Sequence, residues 1–158
     1  MYRILLVLTL FLVFKNATSQ SSWIEKKGEI GNFYLSFPKQ PAYSNDSFHG
    51  WRASDKDGQV IYMIAYMEAP STGQMTIAAA EKYLLPTLFE GDLQVSKDYI
   101  TYNGYNALDV LYKTTHNPTM YKQGRLIVRG QRIYILQVHY YHKDLINFDK
   151  FTKSLRFY

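Results

Sequence analysis

The chain reads as an α+β protein: one antiparallel β-sheet of about six to seven strands with helices covering both faces, an α/β/α sandwich. Three observations carry that reading. Segments 59–68 and 132–141 are apolar on both alternating faces, a pattern a strand needs only when the sheet is covered on both sides. The dipeptides Asn103-Gly104 and Gly130-Gln131 each separate two strand-like runs, as hairpin turns do. Two segments with helical spacing, one in the middle of the chain and one near its end, supply the cover. The 158 residues are 47% hydrophobic and only 20% charged, so the chain is too apolar for disorder and long enough for one core. Fifteen tyrosines and nine phenylalanines favour strands.

The first strand is expected at 32–37, where Phe33, Leu35 and Phe37 alternate with Tyr34 and Ser36 and Pro38 stops the run. A second is expected around 48–54. Asp55-Lys56-Asp57-Gly58 then makes a turn into the third, 59–68. Thr76 is placed to cap a helix over 77–89, with Ile77, Ala80, Leu84 and Leu88 on one face. Pro86 lacks the N–H that would bond the Lys82 carbonyl, which should kink or end that helix. Four strands follow: 93–102 and 105–115 around a type I′ Asn-Gly turn, then 119–129 and 132–141 around a type II′ turn with Gly130 first. A closing helix from Asp144 turns Leu145, Phe148, Phe151 and Leu155 inward.

The N-terminus has the layout of a secretory signal peptide. Arg3 gives a positive start, residues 4–14 form an apolar run of 11, and Ala17 and Ser19 are the small residues before a cleavage point at Gln20. Eleven residues fall well short of the roughly 18 to 20 that span a bilayer, which argues against an uncleaved anchor. The expected organisation is a signal peptide over 1–19 and a single domain over 20–158. The product is then secreted or periplasmic, with no transmembrane segment in the mature chain. Losing Arg3 and Lys15 lowers the formal charge from +5 to +3, too mild and too dispersed for a nucleic-acid surface. The absence of cysteine excludes a disulfide framework, a thiolate zinc site, a cysteine nucleophile and a lipid-anchoring cysteine. Asn45-Asp46-Ser47 is a formal glycosylation sequon, whereas Pro118 disqualifies Asn117-Pro118-Thr119.

Several short motifs fall in the same order over 28–158. Phe37-Pro38 closes the first strand, Gly104-Tyr105-Asn106-Ala107 follows the hairpin turn and Gly124-Arg125 sits in mid-strand. Arg132-Ile133-Tyr134-Ile135-Leu136 comes next, and Phe151-Thr152-Lys153-Ser154-Leu155-Arg156-Phe157 ends the chain. With that order the sequence resembles the PsbP-like superfamily, and its exported bacterial members of unknown role in particular. The resemblance implies the α/β/α sandwich and a binding or accessory role. It implies no shared active site.

The residues themselves carry little chemistry. His139 and His142 lie three apart, so on one strand they point to opposite faces and form no metal site. The Asp55–Gly58 stretch lacks the third oxygen residue and distal glutamate of a calcium loop. No serine lies in a Gly-x-Ser-x-Gly elbow, and His49 and His116 have no carboxylate at a recognisable spacing. No enzyme, metal or cofactor is expected. Among Lys122, Arg125, Arg129 and Arg132, the last two flank a two-residue turn and face each other. That arrangement calls for solvent, a carboxylate or an anionic partner between them.

Counting outward from Asn103-Gly104 sets Asp98 opposite Asp109, and pairing 119 with 115 carries Arg125 to the other side of Asp109. Asp98, Asp109 and Arg125, bordered by Tyr102, Tyr105 and Tyr121, form either a structural ion cluster beside a helix or a polar binding site. The expected function is that of an exported, non-catalytic accessory or binding protein acting through surface contacts, its partner another envelope or secreted protein. The alternative is a small-molecule or ion-binding protein with a tyrosine-lined pocket.

Overall fold

The computed structural model describes residues 23–44, 49–68, 75–143 and 146–158. The signal peptide, its cleavage point, the Asn45 sequon and the expected helix start at Asp144 lie outside these residues. The elements in order are β1 (Ile24–Gly28), β2 (Phe33–Phe37), β3 (Ala42–Ser44), β4 (His49–Asp55), β5 (Val60–Glu68), α1 (Ile77–Leu88), β6 (Leu93–Tyr102), β7 (Tyr105–Lys113), β8 (Tyr121–Arg129), β9 (Arg132–Tyr140), α2 (Phe148–Lys153) and β10 (Arg156–Phe157). Seven strands form one antiparallel sheet in the order β3-β4-β5-β9-β8-β7-β6, and β1-β2-β10 form a second sheet of three. No helix among the described residues is long and apolar enough to cross a membrane.

The local signals act as their chemistry requires. Asn103 (φ 50°) and Gly104 (φ 82°) are both left-handed, the type I′ geometry that matches strand twist, and Gly130 (φ 63°) begins the next turn. Around them β6, β7, β8 and β9 run as a continuous meander. β9 then pairs with β5 along its whole length, from Val60↔Tyr140 to Glu68↔Arg132, which sets both two-sided apolar strands in the sheet interior. The Thr76 hydroxyl accepts the Ala79 N–H at 3.1 Å, so α1 starts where expected. Pro86 lies in its last turn, and the helix ends two residues later.

Each face of the large sheet has its own cover. On one, Leu108, Val110, Tyr112, Leu126, Ile133 and Ile135 pack with Ala80, Leu84, Leu85 and Phe89 of α1 and its end. On the other, Tyr62, Ile64, Tyr66, Tyr134, Leu136 and Val138 pack with Phe33, Leu35 and Phe37 of the small sheet and with Phe148, Phe151 and Leu155 at α2. The expected second helical layer is therefore corrected: a three-stranded sheet supplies much of that cover, and α2 is only six residues long. The first expected strand, β2, belongs to this second sheet. Its partners escape pattern reading, because β1 (Ile-Glu-Lys-Lys-Gly) has no apolar alternation and β10 is two residues. Burial is complete at Phe33, Leu35, Phe37 and Leu136, each contributing about 1.5 to 3 kcal/mol of transfer free energy.

Candidate functional site

The registers place Asp98 opposite Asp109, Asp109 opposite Arg125 and Arg125 opposite Leu136, on the face that carries the small sheet and α2. Arg125 grips Asp109 with a planar fork, Nε to Oδ1 at 2.6 Å and Nη2 to Oδ2 at 2.8 Å. Its guanidinium lies 5.0 Å from the Tyr102 ring centre and 5.7 Å from that of Phe148. The Arg125 side chain is 11% exposed and that of Asp109 27%. Burial works against the Arg125 charge, but the hydrogen bonds and charge of Asp109 outweigh it and hold its pKa above the ordinary arginine value.

Tyr102 roofs this pair and is fully committed. Its hydroxyl donates to the Thr152 carbonyl (2.6 Å), with the Leu155 carbonyl at 3.1 Å, tying the end of α2 to the sheet. Burial pushes its phenol pKa up, against the pull of Arg125. Asp98 is exposed on the free edge strand and takes no ion pair or hydrogen bond among the described residues. Tyr105 and Tyr121 lie elsewhere. The Tyr105 hydroxyl accepts from Arg129 Nε at 3.2 Å at the turn end of the sheet. Tyr121 stacks on Tyr140 (5.6 Å, 18°) beside a cavity of about 250 Å³ lined with Leu111 and Lys143. The six expected residues thus share a face but occupy three separate stations, and the Asp109–Arg125 pair is packed beneath aromatic rings.

Open chemistry collects at the turn end of the same face. Arg129 and Arg132 oppose each other across the Gly130-Gln131 turn. With Asn32, Glu68 and Tyr134 they line an open cleft of about 360 Å³. Arg132 Nε donates to Glu68 Oε1 at 2.9 Å. Arg129 pairs with no side-chain carboxylate among the described residues: besides Tyr105 it reaches the main-chain oxygen of Tyr158 at 3.4 Å, and its guanidinium lies 5.0 Å from the Phe157 ring centre. The hydrogen bond that it donates to Tyr105 is the main influence raising its pKa above the ordinary arginine value. The Tyr134 hydroxyl donates to the Gly31 carbonyl at 2.7 Å, fixing the β1–β2 turn beside the cleft.

That turn also contributes Glu29 and Ile30 to a second open cleft, about 430 Å³, with Lys26, Lys27, Tyr43 and Trp51. Tyr43 (47% exposed) lies against Trp51 at 4.9 Å and shares a 3.0 Å hydrogen bond with His49 Nδ1; Ile30 is 65% exposed. Lys26 Nζ is 5.8 Å from the Trp51 ring centre. Only the mutual approach of Arg129 and Arg132 was readable from spacing. Tyr43 and Trp51 pair directly across the β3–β4 hairpin, and Ile30 reaches them because the small sheet folds back over the large one, which no local pattern reports.

The opposite face holds a polar cluster that sequence spacing also missed. Lys122 Nζ lies 2.6 Å from Asp92 Oδ2, both largely buried, next to His139 in the β8–β9 register. His139 shares a 3.2 Å hydrogen bond with Gln137 Oε1. Burial, with the charges of Lys122 and Arg52, pushes its imidazole down to about 4.

No protein-family model and no curated protein matches the chain. Among solved structures it is similar to cyanobacterial PsbP (CyanoP) from Synechocystis sp. PCC 6803, at a TM-score of 0.66 and 10% identity, covering 90% of this chain and 96% of that one. The fold is therefore PsbP-like. A Pseudomonas aeruginosa protein of unknown function aligns at a TM-score of 0.46 and 15% identity, over 75% of this chain and 82% of that one, which supports no argument about fold or role.

Proposed function

We propose that this chain is an exported, non-catalytic accessory protein that binds another envelope or secreted protein through the turn end of its large sheet. The observation that carries this reading is the exposed Tyr43 and Ile30 beside the half-buried Trp51, with Lys26 and Lys27 around them, adjoining the arginine cleft. Large aromatic rings on a rigid sheet, ringed by charge, are the residues that dominate binding energy at protein interfaces. Export is supported by the short apolar run and the small residues before Gln20. The PsbP-like fold suits a binding role without specifying one.

The test uses exported protein bearing Ile30→Ser and Tyr43→Ala, both at exposed positions, in cross-linking within its native compartment. A partner captured by the unaltered chain and lost by the double variant supports the reading; equal capture by both overturns it. The second reading, a small-molecule binder, is favoured by the cavity beside Tyr121 and Tyr140, though at about 250 Å³ it is below the roughly 300 to 1,000 Å³ usual for ligand pockets.

A further inference from the structure

We propose that β6 is an interface at which a second copy of this chain pairs antiparallel, around a two-fold axis at Tyr99, so that two seven-stranded sheets become one. This goes beyond the surface-contact reading: β6 ends the order β3-β4-β5-β9-β8-β7-β6, at the opposite edge of the sheet from Tyr43 and Trp51. The strand is ten residues long, pairs only with β7 among the described residues and is exposed over most of its length. Leu93, Val95 and Tyr99 are each at least 50% exposed. A long edge with apolar side chains offers a row of unpaired backbone donors and acceptors to another strand.

The hairpin turn fixes which groups those are. In a type I′ turn the Tyr102 carbonyl accepts from the Tyr105 N–H, and hydrogen-bonded pairs alternate from there. Tyr102, Ile100 and Asp98 therefore spend their backbone groups on β7, while Thr101, Tyr99 and Lys97 turn theirs outward. Residues facing each other across the new seam must share a face of the sheet, so the axis passes through a residue rather than between two. On Lys97 or Asp98 it would set like charges opposite each other. On Ile100 or Thr101 the paired run would soon meet Asn103, which is left-handed and out of the strand. On Tyr99 it sets Lys97 opposite the second copy's Thr101 and Asp98 opposite the second copy's Ile100, with no like charges facing. Lys97, Tyr99 and Thr101 then each find a hydrogen-bonded partner, and the irregularity between Gln94 and Ser96 stays outside the run.

The usual guard against such pairing, a lysine on the edge, is drawn aside here. Lys97 donates to Glu81 Oε1 of α1 at 2.6 Å, and the Tyr99 hydroxyl donates to the other oxygen of the same carboxylate. The charge is thereby neutralised over the sheet face, and the body of α1 lies over β7 and β8, set back from the edge.

The experiment follows the exported chain by sedimentation and by amide hydrogen exchange from about 1 to about 500 µM; a dimer at the upper end, with slowed exchange at Lys97, Tyr99 and Thr101, is expected. Thr101→Lys sets like charges opposite Lys97 on both sides of the axis and should weaken the dimer about five-fold, whereas Thr101→Glu should tighten it about three-fold. Thr101 is exposed, so neither change should disturb the fold. Thr115→Lys, the same charge gain at an exposed bend, should alter affinity by less than about two-fold. A monomer throughout the range overturns the proposal. So does a dimer in which those three amides exchange at the monomer's rate, or one weakened equally by Thr101→Lys and Thr115→Lys. Protection that appears only on adding an extract of the native compartment would assign the edge to another protein's strand and overturn self-pairing. Ile30→Ser with Tyr43→Ala should leave the dimer intact, so the edge and the surface-contact reading fail separately; loss of the dimer in that variant overturns the edge.

Discussion

Arg125 and Arg129 stand four residues apart on β8 and point to the same face of the same sheet, yet they do opposite things. Arg125 lies deep in the sheet, where Asp109 neutralises it bidentately and Tyr102 and Phe148 cover it. Arg129 lies at the rim, held by a phenol and the Tyr158 main-chain oxygen and facing a second arginine. Depth decides the difference. A buried charge must bring its counter-ion with it, because the desolvation cost is several kcal/mol, whereas a rim charge can leave that position to solvent or to a partner. The same residue type on one strand thus serves the fold at one station and stands at an open cleft at the next.

The largest test of that contrast removes the floor beside Arg125. Leu136→Ala should cost about 4 kcal/mol by chemical denaturation, since the side chain is fully buried next to the ion pair. Ile30→Ala at the rim should stay within about 0.5 kcal/mol. A loss under about 1 kcal/mol at Leu136 would erase the distinction between the two stations.

Arg125→Met should cost about 3 kcal/mol at neutral pH by leaving Asp109 unpaired opposite Asp98, and adding Asp109→Asn should recover part of it. No recovery in the double variant would mean that Arg125 acts through packing alone.

A third basic group, on the opposite face, extends the comparison. His139 is half-buried beside Lys122 and stays neutral: its folded pKa of about 4 is below the ordinary 6.5. Between those values the unfolded chain binds a proton that the folded chain does not. Stability is therefore complete above about pH 6.5 and falls by about 3 kcal/mol as pH drops toward 4. His139→Gln should flatten that slope in a pH series of denaturation curves; an unchanged slope would assign it to other groups.

The smallest effect on stability belongs to Arg129→Gln, under about 1 kcal/mol by the same denaturation. A cost as large as that of Arg125→Met would make the rim arginine structural too.

Much of this was legible because strand periodicity and turn chemistry are local. Once Asn103-Gly104 fixes a two-residue turn, every cross-strand neighbour follows by counting, which aligns Asp98, Asp109 and Arg125. The β1–β2–β10 sheet was not legible, since its strands are short, charged or both, and β10 joins β2 across more than a hundred positions, as in Arg156 with Tyr34. Asp92 meets Lys122 for a similar reason: it follows the end of α1 and no spacing links it to β8.

The sequence by itself determined the order of the strands in the meander, their register and the two strands buried on both faces, because each depends on the period of apolar residues or on a two-residue turn. The tertiary structure decided which charges are covered. It laid Phe148 and Tyr102 over Arg125, left Arg129 at an open cleft, and brought Ile30 of the small sheet to the Tyr43–Trp51 pair of the large one. Cover is a property of layers packed from distant segments, and the free energy of a charge depends on that cover far more than on its neighbours in sequence.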